Sequence, residues 1–222
     1  FTHKEWPFLE QVFWALGNFR EKFKEKYLIG VHWGCYKEGI ESKYQDFNLI
    51  SKGMATFKSD NNNIIELSSK NFLPKEIKKT NISKQWDIIN ISRPKKFKKL
   101  IEFLDCIRLL YDRKKFVKVL LICGTTKEFG TNKTFDNDIY DRYLNMFSYE
   151  EREHFTFLFL RSEGHPKNIP SSTIAHFLNS SKIFTIFSHM EGPNKSIHEA
   201  LLCGLPVVLN EKYGKYLTYL NS

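Results

Sequence analysis

The sequence predicts an α/β protein built on a parallel sheet with crossover helices, half of a doubly wound architecture. From about Lys84 onward, buried-strand signals alternate with helical periodicity in the order strand, helix, strand. In the first helical stretch Leu100, Ile101, Leu104, Ile107 and Leu110 recur at spacings of three and four, on one face of a helix. With 41% of its 222 residues hydrophobic, the chain is long enough to bury an ordinary core. No apolar run reaches the roughly 18 residues that would span a bilayer.

Taken in order, WDIINIS (86–92) reads as a buried strand, FKKLIEFLDCIRLLYD (97–112) as the first helix, and VKVLLICG (117–124) as a second strand that stops at a glycine. TFDNDIYDRYLNMFSYEEREHF (134–155) contains a helix and its exit, and FTFLFL (155–160) is a third strand. SSTIAHFLNSS (171–181) reads as a short helix capped by Ser171 or Ser172, followed by a fourth strand, KIFTIFS (182–188). LPVVL (205–209) is the fifth. Phe155, Phe157, Phe159, Phe184 and Phe187 are expected in the core around adjacent strands, and EFGTNKTFDND (128–138) as a surface loop. In the first 83 residues, a helix is expected within 5–27, strands at YLIGVHWG (27–34) and FNLIS (47–51), and a turn at SDNNN (59–63). PKEIKKTNISKQ (74–85) is charged and lacks apolar periodicity, which places a linker or domain boundary there.

Between the fourth and fifth strands lies EGPNKSIHEALLCG. Proline suits the first helical position and glycine the cap, so a helix is predicted from Pro193, with Gly192 as cap, to about Cys203, stopping at Gly204. Ile197, Ala200 and Leu201 would face the sheet, Ser196, Glu199 and Cys203 would share another edge, and His198 would lie at the surface. Glu191 precedes the helix N-terminus and Glu199 lies about 1.5 turns into it. Two readings stand side by side: an exposed Lys195–Glu199 ion pair, or two carboxylates flanking a helix N-terminus that favours an anionic ligand.

A formal net charge of +9 directs partners toward anions: nucleotides, phosphorylated substrates, an anionic lipid surface or nucleic acid, against the plainer reading of solvated surface lysine. No RNP-like aromatic motif, suitably placed Gly-x-x-Gly loop or basic amphipathic helix supports RNA binding. Cys35, Cys106, Cys123 and Cys203 lie far apart, without metal-ligand spacing, and are expected as reduced, mostly packed thiols of a cytoplasmic protein. The chain begins at Phe1 and reads as a fragment of something longer.

An apolar strand ending in Ser188, then Glu191-Gly192, a second glutamate at 199, Ala200, Gly204 and Pro206-Val207-Val208 resembles the donor-site motif of retaining GT-B glycosyltransferases of the family 4 group. Arg93 and a lysine just before a helix, in SRPKKFKKLIEFL, and the strand LLICG are similar to the family's earlier landmarks, so the resemblance covers roughly residues 86 to 210. It implies a Rossmann-like parallel sheet with flanking helices: residues 84–222 as the C-terminal nucleotide-sugar-binding domain, incomplete at its end, and 1–83 as the remnant of an N-terminal, acceptor-side domain and linker. The chain departs from the pattern at Pro193-Asn194, where the family usually has an aromatic and a small residue.

The resemblance assigns roles residue by residue. Arg93 and Lys96 would bind the donor diphosphate and stabilise it as it leaves; counting back from the helix favours Lys96, counting on from Arg93 favours Lys98, and Lys96 is taken. Glu199 would hydrogen-bond the ribose, Glu191 would face the donor sugar, and Gly192, Pro193 and Asn194 would approach its hydroxyls and the phosphate. Glu191, Arg93 and Lys96 are thus the catalytic set. A fold that stabilises the leaving group with cations and a helix N-terminus implies no metal and no separate cofactor, the nucleoside-diphosphate-sugar being the donor substrate; Asp136 and Asp138 are expected in a loop with nothing beside them. The implied enzyme is a hexosyltransferase-like protein of polysaccharide biosynthesis, acting on a glycan or lipid-linked acceptor, cytoplasmic, with peripheral contact to an anionic membrane on that face and no nucleic-acid partner. The alternatives are another GT-B enzyme such as a sugar-nucleotide epimerase, and a non-catalytic basic module binding RNA or an anionic membrane.

Overall fold

The computed structural model describes residues 22, 25–26, 30–33, 48–51, 64–66, 73–124, 135–160, 169–189 and 194–210. The chain divides into two units, Phe1–Phe72 and Leu73–Ser222. In the first, β1 (Gly30–Trp33), β2 (Asn48–Ser51) and β3 (Ile64–Glu66) form a parallel sheet in that order. The first two strands lie where YLIGVHWG and FNLIS predict them, and β3 is an addition to the sequence reading. Of the helix expected in 5–27, only Lys22, Glu25 and Lys26 are described, as helical and exposed; the SDNNN turn lies outside the described residues.

The second unit is a Rossmann-like α/β layer. Its elements are β4 (Trp86–Ser92), α1 (Leu100–Asp112), β5 (Val119–Gly124), α2 (Phe135–Met146), α3 (Tyr149–Arg152), β6 (Phe155–Leu160), α4 (Ser171–Asn179), β7 (Ser181–Ile186), α5 (Lys195–Leu202) and β8 (Val207–Leu209). The five strands are parallel in the order β6-β5-β4-β7-β8. The chain therefore builds outward from β4 through β5 and β6, then returns to the other side of β4 for β7 and β8.

Strand alternation feeds two cores. Val119, Leu121 and Cys123 of β5 face α1 and α2, where Leu100, Phe103, Leu104, Ile107 and Tyr111 pack with Phe147 and Phe155. Leu120 and Ile122 face the other way with Ile89, Phe184 and Ile186, against Leu178 of α4 and Ile197 and Ala200 of α5. Each such fully buried side chain contributes about 1.5–3 kcal/mol. Phe155 and Phe184 are fully buried, and Phe157, Phe159 and Phe187 pack half-buried on the α1 side.

Several boundaries differ from the sequence reading. The first helix begins at Leu100, not Phe97: Lys96–Lys98 form a 3-10 turn, and Lys99 breaks it at φ 56°. Cations at a helix N-terminus oppose its dipole, and the helix starts where Glu102 enters its first turn. The stretch 134–155 holds two helices, because the Ser148/Glu151 capping box restarts the chain. Asp136 and Asp138 lie on α2, not in a loop; the rest of the 128–138 segment is outside the described residues. Pro170, not Ser171 or Ser172, is the cap residue of α4, and no side-chain bond closes that end.

The charged segment 73–85 packs on the second unit. Ile77 is buried, and Asn179, at the end of α4, accepts from Thr80 N (2.7 Å) and donates to Lys78 O (2.9 Å) and Ala175 O (2.8 Å). Lys84 Nζ donates to Asn179 O at 2.7 Å. Backbone hydrogen bonds thus substitute for apolar periodicity in holding this stretch.

Across α1 and α3, Arg108 donates to both carboxylate oxygens of Glu151 at 2.6 Å. This fork holds the Glu151 carboxyl down at about 2, against the opposing effect of burial. A folded pKa below the unfolded value gives stability that is complete above about 4.5 and lost as pH falls toward about 2. Urea unfolding between about pH 5 and pH 2 is expected to show this slope, and Glu151→Gln to flatten it while lowering stability at neutral pH; an unaltered slope in the variant would remove the pair from the account of acid lability.

Candidate functional site

The reversal of the chain at β4 creates the site. Since β5 and β7 are reached in opposite directions from β4, the carboxyl ends of β4 and β7 mark the switch point, outside which open α/β sheets hold ligands in a crevice. Arg93 follows directly on the last residue of β4, and residues 187–194 lead from β7 into α5. His189 N donates to Phe97 O at 3.3 Å, so the two strand exits run side by side.

The β4 exit is a tight basic turn. Pro94 is buried and fixes φ, Lys95 N donates to Arg93 O (2.9 Å), and Lys98 N donates to Lys95 O (2.8 Å). Arg93 and Lys96 are exposed, and neither has an ion-pair partner among the described residues. Lys98 Nζ instead lies 5.2 Å from the Phe97 ring centroid. Arg93 and Lys96, paired in the sequence reading, therefore share one turn at the mouth of the crevice.

The β7 exit leads to α5. Glu191, Gly192 and Pro193 lie outside the described residues. The helix starts at Lys195, not Pro193, and its cap is Asn194, whose Oδ1 accepts from Ser196 N at 2.9 Å. Asparagine wins this position because its side chain satisfies a free backbone N–H, which glycine cannot do. The stop at Gly204 is as expected: φ is 75°, and Gly204 N and Leu205 N close on Leu201 O and Ala200 O.

Burial on α5 differs from the sequence reading in two ways. Leu201 is 40% exposed rather than packed on the sheet, and His198, expected at the surface, is buried at 8%. Ile197 to Ala200 are four consecutive buried residues. At roughly 100° per residue they point all around the helix, so its middle is enclosed on every side while Lys195 at its start stays exposed. The ion pair of the plainer reading exists, with Lys195 Nζ 3.2 Å from Glu199 Oε1, but it is not an exposed pair: the Glu199 side chain is 8% exposed against 52% for Lys195. Burial raises the Glu199 pKa, and Lys195 acts against that rise.

Residues that the sequence reading passed over also gather here. Asn90, fully buried on the central strand, has neither its amide nitrogen nor oxygen hydrogen-bonded, and Ser92 Oγ and His189 Nδ1 are likewise buried without a partner. Unpaired buried polar atoms are rare because each costs about 1–3 kcal/mol. The signal was available in WDIINIS, where Asn90 and Ser92 interrupt the apolar run that follows Asp87. The cysteines described are Cys106, exposed, and Cys123 and Cys203, buried. No helix among the described residues is long and apolar enough to cross a membrane.

No family model matches the chain, and no curated protein matches it. Among solved structures it is similar to that of TarM, at 20% identity and a TM-score of 0.45, over 68% of this chain and 26% of that one. It is also similar to an alpha,alpha-trehalose-phosphate synthase (UDP-forming) from Burkholderia xenovorans, at 16% identity and TM-score 0.43, over 57% of this chain and 28% of that one. A third is the C-terminal domain of a glycosyl transferase group 1 family protein (LpcC) from Francisella tularensis, at 17% and 0.42, over 58% and 59%. The chain spans about a quarter of the length of the first two, and its fold rests on the strand order and register described above.

A folded pKa raised above the unfolded value means that the Glu199 charge costs stability at neutral pH, a cost absent below the unfolded value and present in full above the raised one. Glu199→Gln is therefore expected to unfold at a temperature equal to or above that of the wild type at neutral pH, and to lose this advantage in acid. Thermal unfolding by circular dichroism reads it; a marked drop at neutral pH would make Glu199 an ordinary structural partner of Lys195.

Proposed function

We propose that the second unit holds the nucleoside-diphosphate-sugar site of a metal-independent glycosyltransferase of the GT-B type. One observation carries this reading: two cations without ion-pair partners among the described residues, Arg93 and Lys96, and a buried carboxylate, Glu199, belong to the segments that follow the adjacent strands β4 and β7 at the chain reversal. A cationic turn beside a helix N-terminus suits a diphosphate. A carboxylate held in a largely dry position suits the paired hydroxyls of a ribose, which donate to it when it is ionised.

The chemistry that follows is the departure of a diphosphate from a sugar. Breaking the glycosyl-phosphate bond builds negative charge on the leaving oxygens, and Arg93, Lys96 and the first N–H groups of α5 would stabilise it as it forms. Asn194 holds that helix start in place through its cap. Glu191, with Gly192 and Pro193, is assigned to the donor sugar. The family 4 affiliation, a retaining outcome and a glycan or lipid-linked acceptor belong to the same proposal and are carried by the sequence resemblance.

Calorimetric titration of the chain with UDP, GDP and ADP tests the reading. At least one is expected to bind, with Glu199→Gln weakening it about tenfold or more and Arg93→Ala/Lys96→Ala weakening the diphosphate while leaving the bare nucleoside unchanged. Affinity should fall with pH at values above the ordinary carboxylate range, because protonation of Glu199 removes the ribose acceptor. Binding of none of the three, or binding indifferent to Glu199→Gln, overturns the proposal.

A further inference from the structure

The position of Lys195 is electrostatically wrong for stability. It is the first residue of α5, whose first turn contains no acidic residue, so its charge opposes the positive end of the helix dipole. Among the described residues its ion pair runs from Lys195 to Glu199, i to i+4, the less favourable order for such a pair. Neither helix propensity nor charge placement explains a cation there.

The surroundings do. The N-terminal approach to α1 carries Lys96 and Lys98, besides Lys99, which pairs with Glu102 at 2.6 Å, and the start of α5 carries Lys195; both helix starts follow adjacent strands, β4 and β7. Two positive helix ends with added cations form a field that favours a multiply charged anion. We propose that Lys195 is a third cation for the diphosphate and a positioning residue for Glu199, leaving the carboxylate for the phosphates when the ribose hydroxyls take its place. This rests on the nucleotide reading of the crevice.

Both halves of the exchange have a basis in the pair itself. Glu199 is 8% exposed, so a carboxylate without Lys195 or a ligand would stand unpaired in a buried position. Lys195 is 52% exposed on a flexible four-carbon stem, and its ammonium can exchange one anionic partner for another. In the ligand-free protein the lysine satisfies the carboxylate; in the complex the hydroxyls do so, and the lysine adds to the charge facing the diphosphate. A purely structural pair would instead contribute equally whether or not phosphate is present.

The test compares wild type, Lys195→Met and Lys195→Arg in calorimetric titrations with UDP and with uridine, GDP with guanosine, and ADP with adenosine. For the base that binds, Lys195→Met is expected to weaken the diphosphate about tenfold and leave the nucleoside as tight or tighter, with Lys195→Arg restoring the diphosphate. Equal loss for diphosphate and nucleoside, or no loss for either, overturns the inference. A diphosphate that binds and depends on Glu199 but not on Lys195 sinks this inference alone, whereas absence of binding in the wild type sinks the nucleotide reading beneath it.

Discussion

Pairing of β4 on both of its edges is the constraint on which the second unit depends. A central parallel strand has to be apolar on both faces and must satisfy every backbone group through its neighbours. Here β5 and β7 do this, with Ile89 opposite Leu120 on one side and Phe184 on the other. Once β4 is central, the two cores must form on opposite faces, with α1 and α2 on one and α4 and α5 on the other. The reversal of chain direction about β4 then makes its carboxyl end the switch point of the sheet. The candidate site is thus a consequence of strand order, which brings the exits of β4 and β7 side by side.

Polar groups at that end are retained against the interest of stability. Asn90 and Ser92 interrupt the apolar strand with buried, unpaired atoms, and Glu199 keeps a carboxylate where burial disfavours its charge. Elsewhere in the unit some buried polar side chains are well paired, Asn179 making three hydrogen bonds with the backbone of Lys78, Thr80 and Ala175 and Tyr143 OH donating to Phe155 O at 2.6 Å, whereas Trp86 Nε1, at the amino end of β4, is buried without a hydrogen-bond partner among the described residues. The costs at Asn90, Ser92 and Glu199 fit a ligand that supplies the missing partners, an account that does not extend to Trp86 at the other end of the strand.

Much of this was legible because the relevant signals are local. Apolar runs such as VLLIC mark strands buried on both faces, and the Gly204 stop follows from one residue's freedom at positive φ. What was illegible depends on neighbours. The burial of His198 and Glu199 reflects what encloses a helix of eight residues, which no pattern within KSIHEALL encodes. Asn194 and Gly192 are both acceptable caps by type, and only the Oδ1 bond to Ser196 N decides between them. Likewise PKEIKKTNISKQ has the composition of a linker, yet its backbone is held by the side chain of Asn179, about a hundred residues away.

The lysines at the two ends of the sheet make the electrostatic case sharper. At the amino end, a cavity of about 730 Å³ is lined by Lys79, Lys84 and Lys182 beside Cys203 and Gly204. There the charges fit their surroundings. Lys84 donates to Asn179 O at the C-terminus of α4, Lys182 pairs with Asp87 at 2.7 Å, and the stem of Lys79 lies over Gly204 at the C-terminus of α5. Cations at helix C-termini complement the dipole, so that cluster needs no ligand to account for it. At the carboxyl end the same residue type stands at helix N-termini, against the dipole, in Lys96 and Lys195. An abundance of lysine does not by itself distinguish a binding site, but its placement relative to the helix ends does. On that criterion the diphosphate proposed above is placed at the carboxyl end of β4 and β7.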